Sequence, residues 1–169
     1  MDLSRYIRDV PDFPKPGILF KDITPLLRSP EALDYVSHAL AEPFRDAGVT
    51  SVVAIESRGF IFGTGVARVL GTGLVPVRKP GKLPWKTRTS EYTLEYGSGA
   101  LEIHDDALTA SDRALIIDDV LATGGTAAAA ACLVRELGAT IAGIGMVIEL
   151  SFLKGREKLD VPVHALLKY

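Results

Sequence analysis

Apolar residues at Leu33, Val36, Leu40 and Phe44 recur every three or four positions, the spacing of one helix face. Ser29, Pro30 and Glu31 stand just ahead of them: a capping hydroxyl, a proline suited to a first turn, and an acid at the positive end of the dipole. A helix therefore starts here, and Gly48 stops it. Pro43, with no N–H to give, should kink its last turn. Downstream, SVVAIE (51–56) reads as a buried strand, FIFGTGVARVLG (60–71) as a helix and GLVPVRK (73–79) as a second strand. RALIIDDV (113–120) is another buried strand. The segment from about Gly125 to Leu137 is a helix ended by Gly138, TIAGIGMVIEL (140–150) a further strand, and VHALLKY (163–169) the last one. Strands alternating with helices pair in parallel, so the pattern predicts an α/β fold with a central, mainly parallel sheet flanked by helices.

Two stretches break this rhythm. PGKLPWKTRTS (80–90) has two prolines, the bases Lys82, Lys86 and Arg88, and no periodicity. It predicts a loop, long enough for a compact domain to imply function or mobility. YTLEYG (92–97) and ALEIH (100–104) alternate apolar and polar residues and read as a strand pair flanking Gly97-Ser98-Gly99.

Composition changes the picture mainly by exclusion. A chain of 169 residues fits one domain and can bury roughly two thirds of the surface its unfolded form exposes. The net charge of −2 offers no general attraction to a phosphate polymer, so a nucleic-acid partner is disfavoured. Cys132 has no second cysteine to pair with, and MDLSRYIRDV lacks the apolar core of a signal peptide, which together suggest a reduced, cytoplasmic setting. No run approaches the roughly 18 apolar residues that span a bilayer, so no membrane role is expected. Cys132, His38, His104 and His164 show no metal-ligand spacing.

The candidate chemistry lies in LIIDDVLATGGTAAAA (115–130). Asp118 and Asp119 repel one another, and burying either unpaired costs on the order of several kcal/mol, so a partner must come from elsewhere. They sit at the C-terminal end of a parallel strand, where open α/β sheets bind ligands. Ala122, Thr123, Gly124, Gly125 and Thr126 then form a turn into a helix, with unpaired N–H groups, two hydroxyl donors and the positive end of the dipole facing out. This is an anion cradle, yet neither a P-loop nor a GxGxxG fingerprint. A ligand with a phosphate beside vicinal ribose hydroxyls would satisfy turn and acids together. The plainer alternative is that Asp119 or Thr123 merely caps the helix.

LIIDDVLATGGTA resembles the phosphoribosyl pyrophosphate motif of the type I phosphoribosyltransferases. FPKPGILFKDITPLL (13–27), ESRGFIFG (56–63), VRKPGKLP (77–84), YTLEYG (92–97) and GREKL (155–159) are, in the same order, similar to the adenine phosphoribosyltransferase family, from about Pro11 to the C-terminus. The resemblance implies one phosphoribosyltransferase domain over 1–169. Its core would be about 30–150, with a small hood from the N-terminal segment and the 80–96 region and a flexible loop. It implies that adenine and phosphoribosyl pyrophosphate give AMP and pyrophosphate, and that the chain is a homodimer. Asp118 and Asp119 would hold ribose hydroxyls and residues 122–126 the 5-phosphate. Arg58 would meet the pyrophosphate, as would Arg78, Lys79 and Lys82, some of them across a dimer interface. Glu95 and Tyr96 would belong to the closing hood, Glu95 taking the proton lost by adenine. Phe20 and Leu150 would stack on the base while the backbone of Leu19 and Lys21 reads its edge. Mg²⁺ would bind through the substrate's oxygens and water, with no direct protein ligand. Glu56 stands where the family can carry a strained peptide bond.

Read without the resemblance, Glu95 is a polar residue on an alternating strand, Arg78, Lys79 and Lys82 form a solvated basic loop, and Phe20 and Leu150 pack a core. Two other functions compete: a phosphoribosyltransferase for another purine, against which the segments around Phe20 and Glu95 argue, and a non-catalytic phosphoribosyl pyrophosphate sensor. A sensor would carry a DNA-binding extension and a basic face, and the sequence shows neither.

Overall fold

The continuous apolar runs are the strands of one sheet, because a strand covered on both faces has no polar side to alternate with. The computed structural model describes residues 1–93 and 98–169. The elements are β1 (Arg8–Pro11), β2 (Leu19–Asp22), α1 (Thr24–Arg28), α2 (Pro30–Ala41), β3 (Ser51–Ile55), α3 (Gly59–Leu70), β4 (Gly73–Val77), β5 (Thr87–Thr93), β6 (Ser98–His104), β7 (Arg113–Leu121), α4 (Gly125–Glu136), β8 (Thr140–Glu149) and β9 (Val163–Lys168).

The chain divides into two compact units, Met1–Val36 and Ser37–Tyr169. In the first, β1 and β2 pair antiparallel, from Arg8 opposite Asp22 to Pro11 opposite Leu19. In the second, five strands form a parallel sheet in the order β4-β3-β7-β8-β9. The predicted α/β sheet is therefore present, with α3 packed against β3 and β7. Val53, Ile55, Ile116, Ile144 and Met146 are buried in it together with Ala127, Ala130 and Leu133 of α4. The alanine run of α4 has a use here: small side chains let the helix lie close to the β5–β6 hairpin as well as to the sheet.

Several boundaries differ from expectation, each for a local reason. The helix that was to kink at Pro43 ends at Ala41, and Pro43 sits in a separate 3₁₀ turn, Glu42–Phe44, because a proline cannot supply the next α-helical N–H. The strand expected over 73–79 stops at Val77. Arg78 then leaves the sheet to pair antiparallel with Glu102 of β6, at 2.9 and 2.7 Å. The loop expected over 80–90 is shorter, since β5 begins at Thr87. Thr87, Arg88, Thr89 and Ser90 alternate only polar residues, so no hydrophobic period marked them as a strand. For the same reason β1, rich in charge, carried no strand signal.

Candidate active site

The sheet order places the site. From β3 the chain crosses to β4 on one side, and from β7 to β8 on the other, so β3 and β7 are the adjacent strands at which the winding reverses. Their C-terminal ends open onto the crevice where such sheets bind ligands. Glu56, Ser57 and Arg58 follow β3, while Asp118, Asp119 and the 122–126 turn follow along β7.

Successive side chains of a strand face opposite sides, yet both acids are buried, at 8% and 6% exposure, because β7 is covered on both faces. The Asp119 N–H donates to Asp118 Oδ1 at 2.8 Å. The partner the acids required comes from β3's end: Arg58 Nε lies 2.5 Å from Asp119 Oδ2. Among the described residues that oxygen has no hydrogen-bond partner, and the Arg58 guanidinium meets it as an ion pair. Burial, and then the charge of Asp119, push the Asp118 carboxyl well above its ordinary range, with the Asp119 N–H and Arg58 opposing. Gly59 makes this meeting possible. A side chain there would come within 2.8 Å of the Ile117 carbonyl oxygen, so only glycine lets α3 begin against β7.

The turn settles the capping alternative. The residue preceding α4 is Gly124, in the left-handed region at φ +80°, and no side chain caps the helix. The first-turn N–H groups therefore have no intrahelical partner. A cavity of about 120 Å³ is lined by Asp118, Ala122, Thr123, Gly124, Thr126 and Met146, among others. About 10 to 15 Å³ of such space admits one water, so the cavity has room for a polyatomic group.

The basic residues gather on one acid that the sequence reading singled out only for its peptide bond. Glu56 accepts from Arg78 Nε at 3.2 Å, from the Lys79 backbone N–H at 3.0 Å and from Lys82 Nζ at 2.5 Å. Burial raises its carboxyl, but the Lys82 bond, the Lys79 N–H and the two positive charges outweigh that and hold it below its ordinary value. Arg78 also donates to the Lys82 carbonyl at 3.0 Å and lies over the Phe60 ring at 6.0 Å. Glu102 Oε2 accepts from the Gly81 N–H at 3.0 Å, tying the loop to β6. The Glu56–Ser57 peptide is cis.

The residues expected at the base are divided between the two units. Leu19, Phe20 and Lys21 lie on β2 in the first, where Phe20 meets Phe13 edge-on at 5.1 Å and Lys21 Nζ donates to Asp9 at 2.7 Å. Leu150 follows β8 in the second, its N–H bonded to the Leu121 carbonyl at 2.9 Å. Glu95 and Tyr96 lie outside the described residues. A further pair lies outside the expected site residues. Glu149, buried at the end of β8, accepts from Arg156 Nε at 3.0 Å and from its terminal nitrogen at 2.6 Å. The signal was a charge closing an otherwise apolar strand, which implies a partner. Among the described residues no three His, Cys, Asp or Glu side chains gather as a metal cluster, and no helix is long and apolar enough to cross a membrane.

The phosphoribosyl transferase domain matches residues 22–164. Adenine phosphoribosyltransferase of Gloeobacter violaceus is 61% identical over 159 residues, 94% of this chain and 93% of its own. That of Acaryochloris marina is 56% identical over 170 residues, the full length of both. The chain belongs to the adenine phosphoribosyltransferase family. Among solved members, the Saccharomyces cerevisiae enzyme, complexed with D-2,5-dideoxy-2,5-imino-altritol 1,6-bisphosphate and adenine, superposes with a TM-score of 0.93 at 44% identity, covering 98% of this chain and 97% of that one. The match to this family spans both units and takes in each segment that carried the resemblance.

Proposed function

We propose that the β3–β7 crevice holds phosphoribosyl pyrophosphate with its 5-phosphate on the 122–126 turn, its ribose hydroxyls on Asp118 and Asp119, and its pyrophosphate toward Arg58 and the Arg78–Lys82 loop. The reaction is the family's own: the 5-phosphoribosyl group passes from phosphoribosyl pyrophosphate to adenine, giving AMP and pyrophosphate in purine salvage. The observation that carries the site assignment is Asp119 Oδ2, a buried carboxylate oxygen with no hydrogen-bond partner among the described residues, close in the chain to a glycine turn that opens α4 without a side-chain cap. A ribose hydroxyl would supply the missing donor, and such charge-assisted bonds are the strong ones.

Positive charge develops on the ribose as the bond to pyrophosphate breaks, and negative charge on the leaving group. Asp118 and Asp119 face the first, Arg58 and the loop cations the second. Mg²⁺ would be held through the substrate's oxygens and water, and when bound it would neutralise charge on the leaving group. In this reading Glu95 accepts the imidazole proton of adenine, with Tyr96 beside it in the hood. Phe20 and Leu150 stack on the base while the backbone of Leu19 and Lys21 reads its edge. A homodimer in the cytoplasm completes the reading, with some of Arg78, Lys79 and Lys82 reaching across the interface. Incubation with phosphoribosyl pyrophosphate, Mg²⁺ and each nucleobase in turn, followed by pyrophosphate release, tests it. Adenine should support release at least about 100-fold better in kcat/KM than hypoxanthine, whose edge reverses both hydrogen-bond partners. Equal rates would overturn the adenine assignment.

A further inference from the structure

The phosphate turn does not rest on its own side chains. Gly155 is buried, and a Cβ there would overlap the Ala122 carbonyl oxygen and lie 2.8 Å from the Gly124 nitrogen. Reciprocally, a Cβ on Gly124 would overlap the Gly155 carbonyl oxygen and lie 3.1 Å from the Gly155 Cα. The two segments therefore touch backbone to backbone, and the direction of the turn's amides depends on where residue 155 lies.

That location is itself over-determined. Lys154 adopts the left-handed region at φ +54°, which non-glycine residues occupy only where surroundings enforce it. Arg156 provides the enforcement. Its fork grips both oxygens of Glu149, the last residue of β8, and donates at 2.6 Å to the carbonyl of Val163, the first residue of β9. A planar guanidinium making three directed bonds fixes its own backbone more tightly than an ammonium could. Arg156 thus pins the segment from Glu149 to Val163 at both ends, with Gly155 under the turn.

We propose that Gly155 and Arg156 are positioning residues of the phosphate turn: Gly155 is the side-chain-free floor on which Ala122–Gly124 is set, and the Arg156 fork holds that floor in place. The proposal rests on reading the turn as the 5-phosphate site. It assigns the two residues no contact with substrate.

The test uses the full chain and calorimetry with ribose 5-phosphate and, separately, pyrophosphate as probes. Displacing a preorganised site by a fraction of an ångström costs much of its binding, so Gly155→Ala should weaken ribose 5-phosphate by roughly 10-fold or more. Arg156→Ala should approach that loss, and Arg156→Lys, keeping charge without the fork, should fall between it and wild type. Pyrophosphate affinity should stay within about 2-fold, and KM for phosphoribosyl pyrophosphate should rise with kcat little changed, the signature of lost uniform binding. Arg135→Gln, which removes an exposed ion pair with Asp160, should match wild type in all of these. The double variant Thr123→Val, Thr126→Val reports on the site reading itself. If it weakens ribose 5-phosphate while Gly155→Ala and Arg156→Lys bind like wild type, the positioning proposal falls and the site stands. If wild type itself binds no ribose 5-phosphate, the site reading falls and the proposal with it. Equal loss of both probes in the Gly155 and Arg156 variants would mark general damage and overturn the proposal. Should Gly155→Ala not fold, Arg156→Lys decides the matter.

Discussion

The two sides of the crevice are built by opposite means. On the β7 side the anion cradle is backbone: glycine at φ +80°, no capping side chain and no cation within the turn. On the β3–β4 side it is side chain: Arg78 and Lys82 on flexible stems, joined with the Lys79 amide on Glu56. Backbone amides point where the fold points them, at no cost when the ligand arrives. Cations on long stems need an anion to hold them, and Glu56 is that anion. In the proposed reading the first side is preorganised for a phosphate, and the second exchanges one anion for another. In that reading this suits the reaction, because the 5-phosphate stays bound from substrate to product whereas pyrophosphate must leave.

The comparison breaks most sharply at Gly124. Gly124→Ala forces a side chain into the left-handed region at about 1 to 2 kcal/mol and against the Gly155 carbonyl besides. Ribose 5-phosphate should bind at least about 100-fold more weakly, some 2.7 kcal/mol, by calorimetry. Unchanged binding would mean the amides are not the cradle.

Asp118→Asn comes next. It should weaken phosphoribosyl pyrophosphate by about 1.5 to 3 kcal/mol with Mg²⁺ present, the worth of a charge-assisted bond to a ribose hydroxyl. The same change should stabilise the ligand-free chain. Burial and the charge of Asp119 raise the Asp118 carboxyl in the folded state, so that state binds the proton more tightly than the unfolded one does. Stability from this group is therefore full below the ordinary carboxylate range and is lost as pH rises through the raised value. Asparagine has nothing to lose. The melting temperature of Asp118→Asn should draw ahead of wild type as pH increases from that range, and a constant gap would contradict the assignment.

Arg58→Ala removes the charge facing Asp119 and should destabilise the fold. A buried carboxylate stripped of its partner costs 3 to 5 kcal/mol, but the arginine side chain is 45% exposed, so about 1 to 3 kcal/mol is expected in a denaturant titration. Asp118→Asn in the same background should recover part of it, since one fewer like charge then adjoins Asp119.

Legibility in the sequence followed the same division. The β7 motif could be read because its parts are contiguous: a buried strand, two acids and a glycine turn lie within LIIDDVLATGGTA. The parallel sheet was legible because burial on both faces leaves unbroken apolar runs. What escaped was assembled from distant pieces or carried no period. Glu56 meets Lys82 across 26 positions, and no local pattern announces such a hub. The all-polar start of β5 is held by its pairing with β6, from Thr87 opposite His104, and not by a buried face of its own. Gly155 is part of GREKL, but its use lies in a backbone contact that only the fold reveals.

The smallest expected effect is the one that sharpens the contrast furthest. Glu56→Gln keeps the shape and an acceptor for the Lys79 N–H while removing the negative charge that Arg78 and Lys82 share. Both cations are partly solvated, at 34% and 47% exposure, so releasing them should cost little stability. If Glu56 competes with pyrophosphate for these cations, the variant should bind pyrophosphate more tightly, by roughly 3-fold to 10-fold at low salt, and the gain should shrink as salt screens the freed charges. Acid should mimic the substitution in wild type. The lowered carboxyl of Glu56 keeps its charge through the ordinary carboxylate range, and the restraint on the cations disappears only as pH falls through that lowered value. Weaker pyrophosphate binding by Glu56→Gln would show instead that the carboxylate aims the cations at the ligand, which would make this side of the crevice preorganised as well, by side chains where β7 uses backbone.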